Sequence, residues 1–160
     1  MLAGKVAGGI SGGPNARNFA LGGESGTALG VPGVALGNGI RDFALRGYPR
    51  DVARFTRAVT TVAELRIPLF LIGKAVGRLP LAVDKVSFTV FGETGGGWRS
   101  ETGSHSVTRY RDVGGELVLD LGLNLDTPLR VRIGGAQALT AGLGAQRGDW
   151  RGYVALGSSF

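Results

Sequence analysis

Arg46, Glu64 and Glu93 are the residues whose types and order could assemble a charged site. Arg46 lies in Ala44-Leu45-Arg46-Gly47-Tyr48-Pro49, late in a Gly-rich stretch covering residues 11–56. Glu64 lies in Ala63-Glu64-Leu65-Arg66-Ile67-Pro68-Leu69, and Glu93 in Phe91-Gly92-Glu93-Thr94-Gly95. A guanidinium is planar and always charged, so it can make paired hydrogen bonds to carboxylate oxygens. In a partly dehydrated interior those bonds count for more than on a surface. A long loop folding inward would set Arg46 between the two carboxylates. The other reading of the same residues is three unrelated exposed charges, because charges usually lie on surfaces.

Catalytic and metal chemistry find little to build on. Gly23-Glu24-Ser25-Gly26-Thr27 lacks the final glycine of a nucleophile elbow. Gly73-Lys74 lacks the upstream glycine and the Ser or Thr of a phosphate-binding loop. His105 is the only histidine and there is no cysteine, so a His-based triad, a thiolate site or a disulfide scaffold has no raw material. The expectation is a non-enzyme with neither metal nor cofactor.

The elements that would position the three charges alternate with period two, the signature of a strand with two unlike faces. Leu2, Gly4, Val6, Gly8 and Ile10 oppose Ala3, Lys5 and Ala7. Val59, Thr61, Ala63, Leu65 and Ile67 oppose Thr60, Val62, Glu64 and Arg66. Val86, Phe88 and Val90 oppose Lys85, Ser87, Thr89 and Glu93. Leu117, Leu119, Leu121, Leu123 and Leu125 oppose Glu116, Asp120, Gly122 and Asn124. Leu129, Val131 and Ile133 oppose Arg130, Arg132 and Gly134. In the last segment Trp150, Gly152, Val154, Leu156, Ser158 and Phe160 share one face, closed by an aromatic at each end. A membrane strand needs about 9–11 residues and shows lipid an apolar band between aromatic girdles. A face of five leucines is greasier than a soluble sheet requires, and opposite faces carrying Glu, Asp, Asn and Arg suit a wet lumen better than a dry sandwich core. Parity places Glu64 and Glu93 on the polar side.

The connectors differ in length. Asp126-Thr127-Pro128 reads as a tight turn, whereas residues 93–114, 138–149 and 11–56 read as long loops. Short turns at one rim and long loops at the other are usual for outer-membrane barrels. Residues 69–84 break the pattern, being a long apolar connector (Phe70-Leu71-Ile72) on the side where turns should be short.

Composition bounds the classes. Gly is 30 of 160 residues without a collagen-like period, and 43% of residues are hydrophobic, too many for a disordered low-complexity chain. The net charge is +6, but the arginines are scattered and form no basic helix or aromatic-interleaved patch, so nucleic acid is not expected as a partner. No run of about 18 apolar residues is present to make a transmembrane helix. Met1-Leu2-Ala3-Gly4 opens no signal peptide. Six strands are also fewer than the roughly eight of the smallest bacterial barrels, so the expectation is the carboxy-terminal piece of something longer, with its remaining strands supplied by that longer chain or by other subunits.

The chain resembles the carboxy-terminal barrel region of the BamA/TamA outer-membrane proteins, the bacterial surface antigen family. The resemblance rests on Leu21-Gly22-Gly23 at the start of the loop, Arg46-Gly47-Tyr48 near its end, the Glu64–Leu69 strand segment, the Phe91–Gly95 segment with Glu93 where Asp is usual, and terminal Phe160. It implies an all-β fold: a transmembrane antiparallel β-barrel, of which this chain is the carboxy-terminal six-strand segment of a sixteen-strand barrel. Residues 1–160 would form one unit, with 11–56 a lumen-entering loop and 57–160 the last five strands. It implies a lumen latch made by Arg46, Gly47, Tyr48, Glu64 and Glu93, and a carboxy-terminal assembly signal and seam carrying Gly152, Leu156 and Phe160. It places the protein in the bacterial outer membrane, against outer-membrane lipid, in the insertion or translocation of unfolded outer-membrane protein clients. Two other readings compete: a small self-associating outer-membrane barrel or pore with no assembly role, and a soluble β-sandwich binding module. The second is disfavoured by the leucine face.

Overall fold

The structure, a computed structural model, describes residues 1–13, 18–24, 27–28, 34–36, 43–50, 53–75, 81–98, 108–123 and 127–157. Phe160, Leu125 and His105 lie outside the described residues. The fold is all-β, with no helix among the described residues. Among the described residues ten strands follow in chain order: β1 (Leu2–Ile10), β2 (Phe19–Leu21), β3 (Thr27–Ala28), β4 (Val34–Leu36), β5 (Ala53–Phe55), β6 (Arg57–Ala75), β7 (Leu81–Trp98), β8 (Thr108–Leu123), β9 (Thr127–Ala138) and β10 (Trp150–Gly157).

Eight of them form one sheet in the order β1-β6-β7-β8-β9-β10-β4-β3, and β2 pairs with β5 apart from it. Strands β6 to β10 make an antiparallel meander, and β1 adds antiparallel to β6. The sheet is thus two short strands wider than the six long ones, because β4 and β3 from the 11–56 stretch extend it beyond β10.

Alternation decides which side chains face which way. Thr60, Thr89, Phe91, Glu93, Asp112, Glu116, Tyr153 and Ala155 are buried on one face, here called inner. Val59, Leu65, Ile67, Phe88, Val90, Val113, Ile133 and Trp150 are exposed on the other. The carboxylates are thus buried on the inner face and large apolar side chains exposed on the outer, against the usual arrangement of a soluble sheet.

Part of the 11–56 stretch fills the inner face. Leu21, Phe43, Leu45 and Tyr48 pack with Ala58 of β6, Tyr110 of β8, Ala138 of β9 and Leu143 of the β9–β10 connector. The rings of Phe19 and Phe43 lie 5.0 Å apart, and those of Tyr48 and Tyr110 meet edge-on at 5.6 Å, within the range in which aromatic pairs add to plain burial. The hydrophobic core therefore lies between loop and sheet.

Two expected connectors are corrected. Most of residues 69–84 is strand: β6 runs on to Ala75 and β7 begins at Leu81. Register shifts between Pro68 and Phe70, and between Leu71 and Lys74, hid this from a strict period of two. Pro68 opposes inward Ser87, but Phe70 opposes Val86, so one extra residue moves Phe70 to the outer face. Likewise, residues 93–114 are mostly strand. β7 continues to Trp98 through three consecutive glycines, and β8 starts at Thr108. Glycine-rich composition reads as loop, yet here the ladder pairs Gly95, Gly96 and Gly97 on both sides.

Candidate functional site

Arg46 is carried inward by a turn whose base is tied to the start of the same loop. Gly22 and Gly23 adopt left-handed backbone angles, φ 107° and 80°, which a residue without Cβ reaches at no steric cost. The bend lets the Gly23 amide donate to Leu45 O at 2.9 Å and Tyr48 O at 3.0 Å, while the Leu45 amide donates to Gly23 O at 3.1 Å. The Tyr48 amide closes the turn on Leu45 O, and fully buried Leu21 and Leu45 hold both ends in the core.

At the tip the Arg46 side chain meets three strands. Its Nε donates to Glu93 Oε1 at 2.7 Å, and its backbone amide donates to Glu93 Oε2 at 2.7 Å. Its Nη2 donates to Glu64 Oε1 at 2.6 Å, and its Nη1 lies 3.2 Å from Glu116 Oε2. The guanidinium carbon stands 3.6 Å from the centre of the Phe91 ring, close enough for a cation–π contribution. Burial alone disfavours the charge, but Glu93 and then Glu116 outweigh it and hold the Arg46 pKa above its already high ordinary value. Arg46 thereby ties the loop to β6, β7 and β8. The Tyr153 hydroxyl donates to Glu116 Oε2 at 2.7 Å and brings in β10.

Gly47 and Tyr48 extend the attachment. The Gly47 amide donates to Asp112 Oδ2 at 2.9 Å. The Tyr48 hydroxyl sits 2.8 Å from the carbonyl oxygens of Arg111 and Thr140, able to donate its one proton to either, and accepts from the Arg111 amide at 3.2 Å. Of the five residues of the expected latch, Arg46 meets Glu64 and Glu93 directly, while Gly47 and Tyr48 attach to Asp112, Arg111 and Thr140.

The sequence reading did not single out Glu116, Asp112, Phe91 or Tyr153 as partners. Their inward parity was available, but which strand residue stands beside Glu93 depends on register, and the ladder sets Asp112 opposite it. A second buried ion cluster was also missed. Glu24, wholly buried, has Oε1 2.9 Å from Arg50 Nε and Oε2 4.0 Å from Arg151 Nη2 of β10. Its position directly after Leu21-Gly22-Gly23 was the available signal.

Beside the latch lies a cavity of about 170 Å³ whose charged walls are Lys5, Arg46, Glu64, Arg66, Glu93 and Arg132. Among the described residues no group of three or more His, Cys, Asp or Glu is arranged to hold a metal ion. The buried carboxylates of β7 and β8 are engaged by Arg46, Gly47 and Tyr153, an arrangement that fastens a loop to a sheet. Of the expected terminal signal, Gly152 and Leu156 lie on β10, on the face opposite Tyr153 and Ala155.

No family model, no curated protein and no solved structure matches the chain.

Proposed function

We propose that this chain is the carboxy-terminal part of a transmembrane β-barrel of BamA/TamA type in the bacterial outer membrane. It is not an enzyme. It contributes the latched loop and the terminal strand of a barrel that inserts or translocates other outer-membrane proteins. The observation that carries this reading is the reversed sheet: apolar side chains exposed on one face, and carboxylates buried on the other around an arginine brought in by a loop. Hydrocarbon can cover the first face and a lumen can hold the second. A soluble sandwich would need a second layer over the apolar face, and among the described residues none lies there. The motif order from Leu21-Gly22-Gly23 to Arg46-Gly47-Tyr48 supports the family assignment. Closure then requires strands from a longer chain.

The outward edge of β1 pairs with no strand among the described residues, which also suits a barrel made by several copies. Cross-linking in detergent separates the two readings: a defined homo-oligomer that conducts ions favours self-assembly without an assembly role.

Trp150, 71% exposed on the outer face, provides the test of membrane contact. In a Trp98→Phe background, its fluorescence should shift to the blue in lipid vesicles and be quenched by brominated acyl chains. A water-soluble monomer whose emission ignores vesicles would overturn the membrane reading.

A further inference from the structure

The sequence Val154-Ala155-Leu156-Gly157 in β10 occurs a second time, as Val34-Ala35-Leu36-Gly37 in the loop. The structure sets residues 34–36 beside residues 154–156. β4 lies on the edge of β10 away from β9, with Val34 opposite Val154, Ala35 opposite Ala155 and Leu36 opposite Leu156. Every other strand pairing described is antiparallel; this one is parallel and aligns identical residues in register. Parallel, in-register alignment of identical segments stacks like on like, the geometry by which a β-segment pairs with its own sequence.

The pairing covers little. β9 meets β10 over eight positions, β4 over three, and β3 ends the sheet with two more. Among the described residues no strand pairs with Trp150–Tyr153 on the β4 side. Parallel ladders are also slightly weaker per residue than antiparallel ones. Short edge strands protect a sheet from unwanted pairing without making a strong bond.

We propose that residues 34–36 are a built-in cap for the edge of β10. They are a copy of the strand's own sequence, seated in register while no other strand pairs there and released when a longer one does. This goes beyond the proposed function and holds whether or not the sheet closes into a barrel, because it rests on the β4–β10 pairing alone. Three in-register pairs cannot match a full-length ladder, so the cap yields to any strand that engages β10 along its length.

The chain has no cysteine, so an engineered disulfide is read without background. Neighbouring strands stand about 4.8 Å apart, within the Cα separation a disulfide accepts. In the full chain in detergent, Ala35→Cys with Ala155→Cys should cross-link several-fold more than the out-of-register pair Ala35→Cys with Gly157→Cys. Leu36→Cys with Leu156→Cys repeats the test should a substitution at buried Ala155 disturb folding. A synthetic peptide of residues 150–157 should remove most of the in-register cross-link, and a scrambled peptide should not. Ala35→Pro, which removes a backbone donor from the cap, should raise capture of the labelled peptide several-fold. Equal cross-linking in and out of register, equal competition by the scrambled peptide, or unchanged capture by Ala35→Pro would each overturn the cap.

Discussion

Gly47 and Asp112 touch so closely that the glycine is a steric requirement. The Gly47 amide donates to Asp112 Oδ2 at 2.9 Å, and a Cβ built on Gly47 would lie 2.6 Å from Asp112 Cβ. The contact joins the loop tip to β8 next to the Arg46 ion pairs. Gly47→Ala should therefore lift the tip from the sheet and destabilise the folded chain by about 1–3 kcal/mol, the usual range for overpacking. Denaturant unfolding of the variant measures it, and an unchanged midpoint would show that Asp112 can retreat without loss.

Arg46 contacts carboxylates on three strands, and charge alone does not reproduce its fork. Arg46→Lys keeps the charge but cannot reach Glu64, Glu93 and Glu116 together, whereas Arg46→Ala leaves all three facing one another. Removing one partner of a buried ion pair costs about 3–5 kcal/mol. Limited proteolysis of the loop should therefore rank wild type slowest, Arg46→Lys intermediate and Arg46→Ala fastest. Cleavage at one rate for all three would mean that the core contacts of Leu21, Leu45 and Tyr48 hold the loop without the guanidinium.

Tyr48 holds the connector between β9 and β10 as well as the loop. Tyr48→Phe keeps the ring against Tyr110 but removes the hydroxyl that lies between Arg111 and Thr140. Buried backbone groups left without a partner cost about 1–3 kcal/mol. Hydrogen exchange should speed up at the Arg111 amide, which donates to that hydroxyl. Unchanged protection there would mean that another acceptor takes its place.

Ile133 tests the outer face. It is 49% exposed, and its neighbour Arg132 faces the other way. On a lipid-facing strand an added arginine costs about 2–4 kcal/mol at mid-membrane and less near the interfaces. Ile133→Arg should lower the fraction that folds into vesicles, read as heat-modifiable mobility on a gel, whereas Ile133→Leu should not. Equal folding of both variants would remove hydrocarbon from the description of this face.

Much of the architecture was legible because strand parity is local. Leu117 and Glu116 point opposite ways whatever else the chain does, so the apolar and charged rows could be read off one segment at a time. The reading failed where the period slipped, as at Pro68 and Phe70, or where glycines looked like loop, as at residues 95–97. At the site, parity put Glu64 and Glu93 on one side, and the structure has Arg46 between them. Glu116 and Asp112 had the same parity but no mark to set them apart from Asp120.

Which residues share a face could be read from the chain alone, because successive side chains of an extended backbone must alternate. The chain also supplied a long loop carrying Arg46-Gly47-Tyr48 near its end. The register of each ladder, the bulges in β6, the burial of Glu24 between Arg50 and Arg151, and the seating of β4 on β10 emerge only in the folded sheet. Those depend on contacts between residues far apart in the chain, where many pairings are sterically open and the choice among them falls to the packing of the whole sheet.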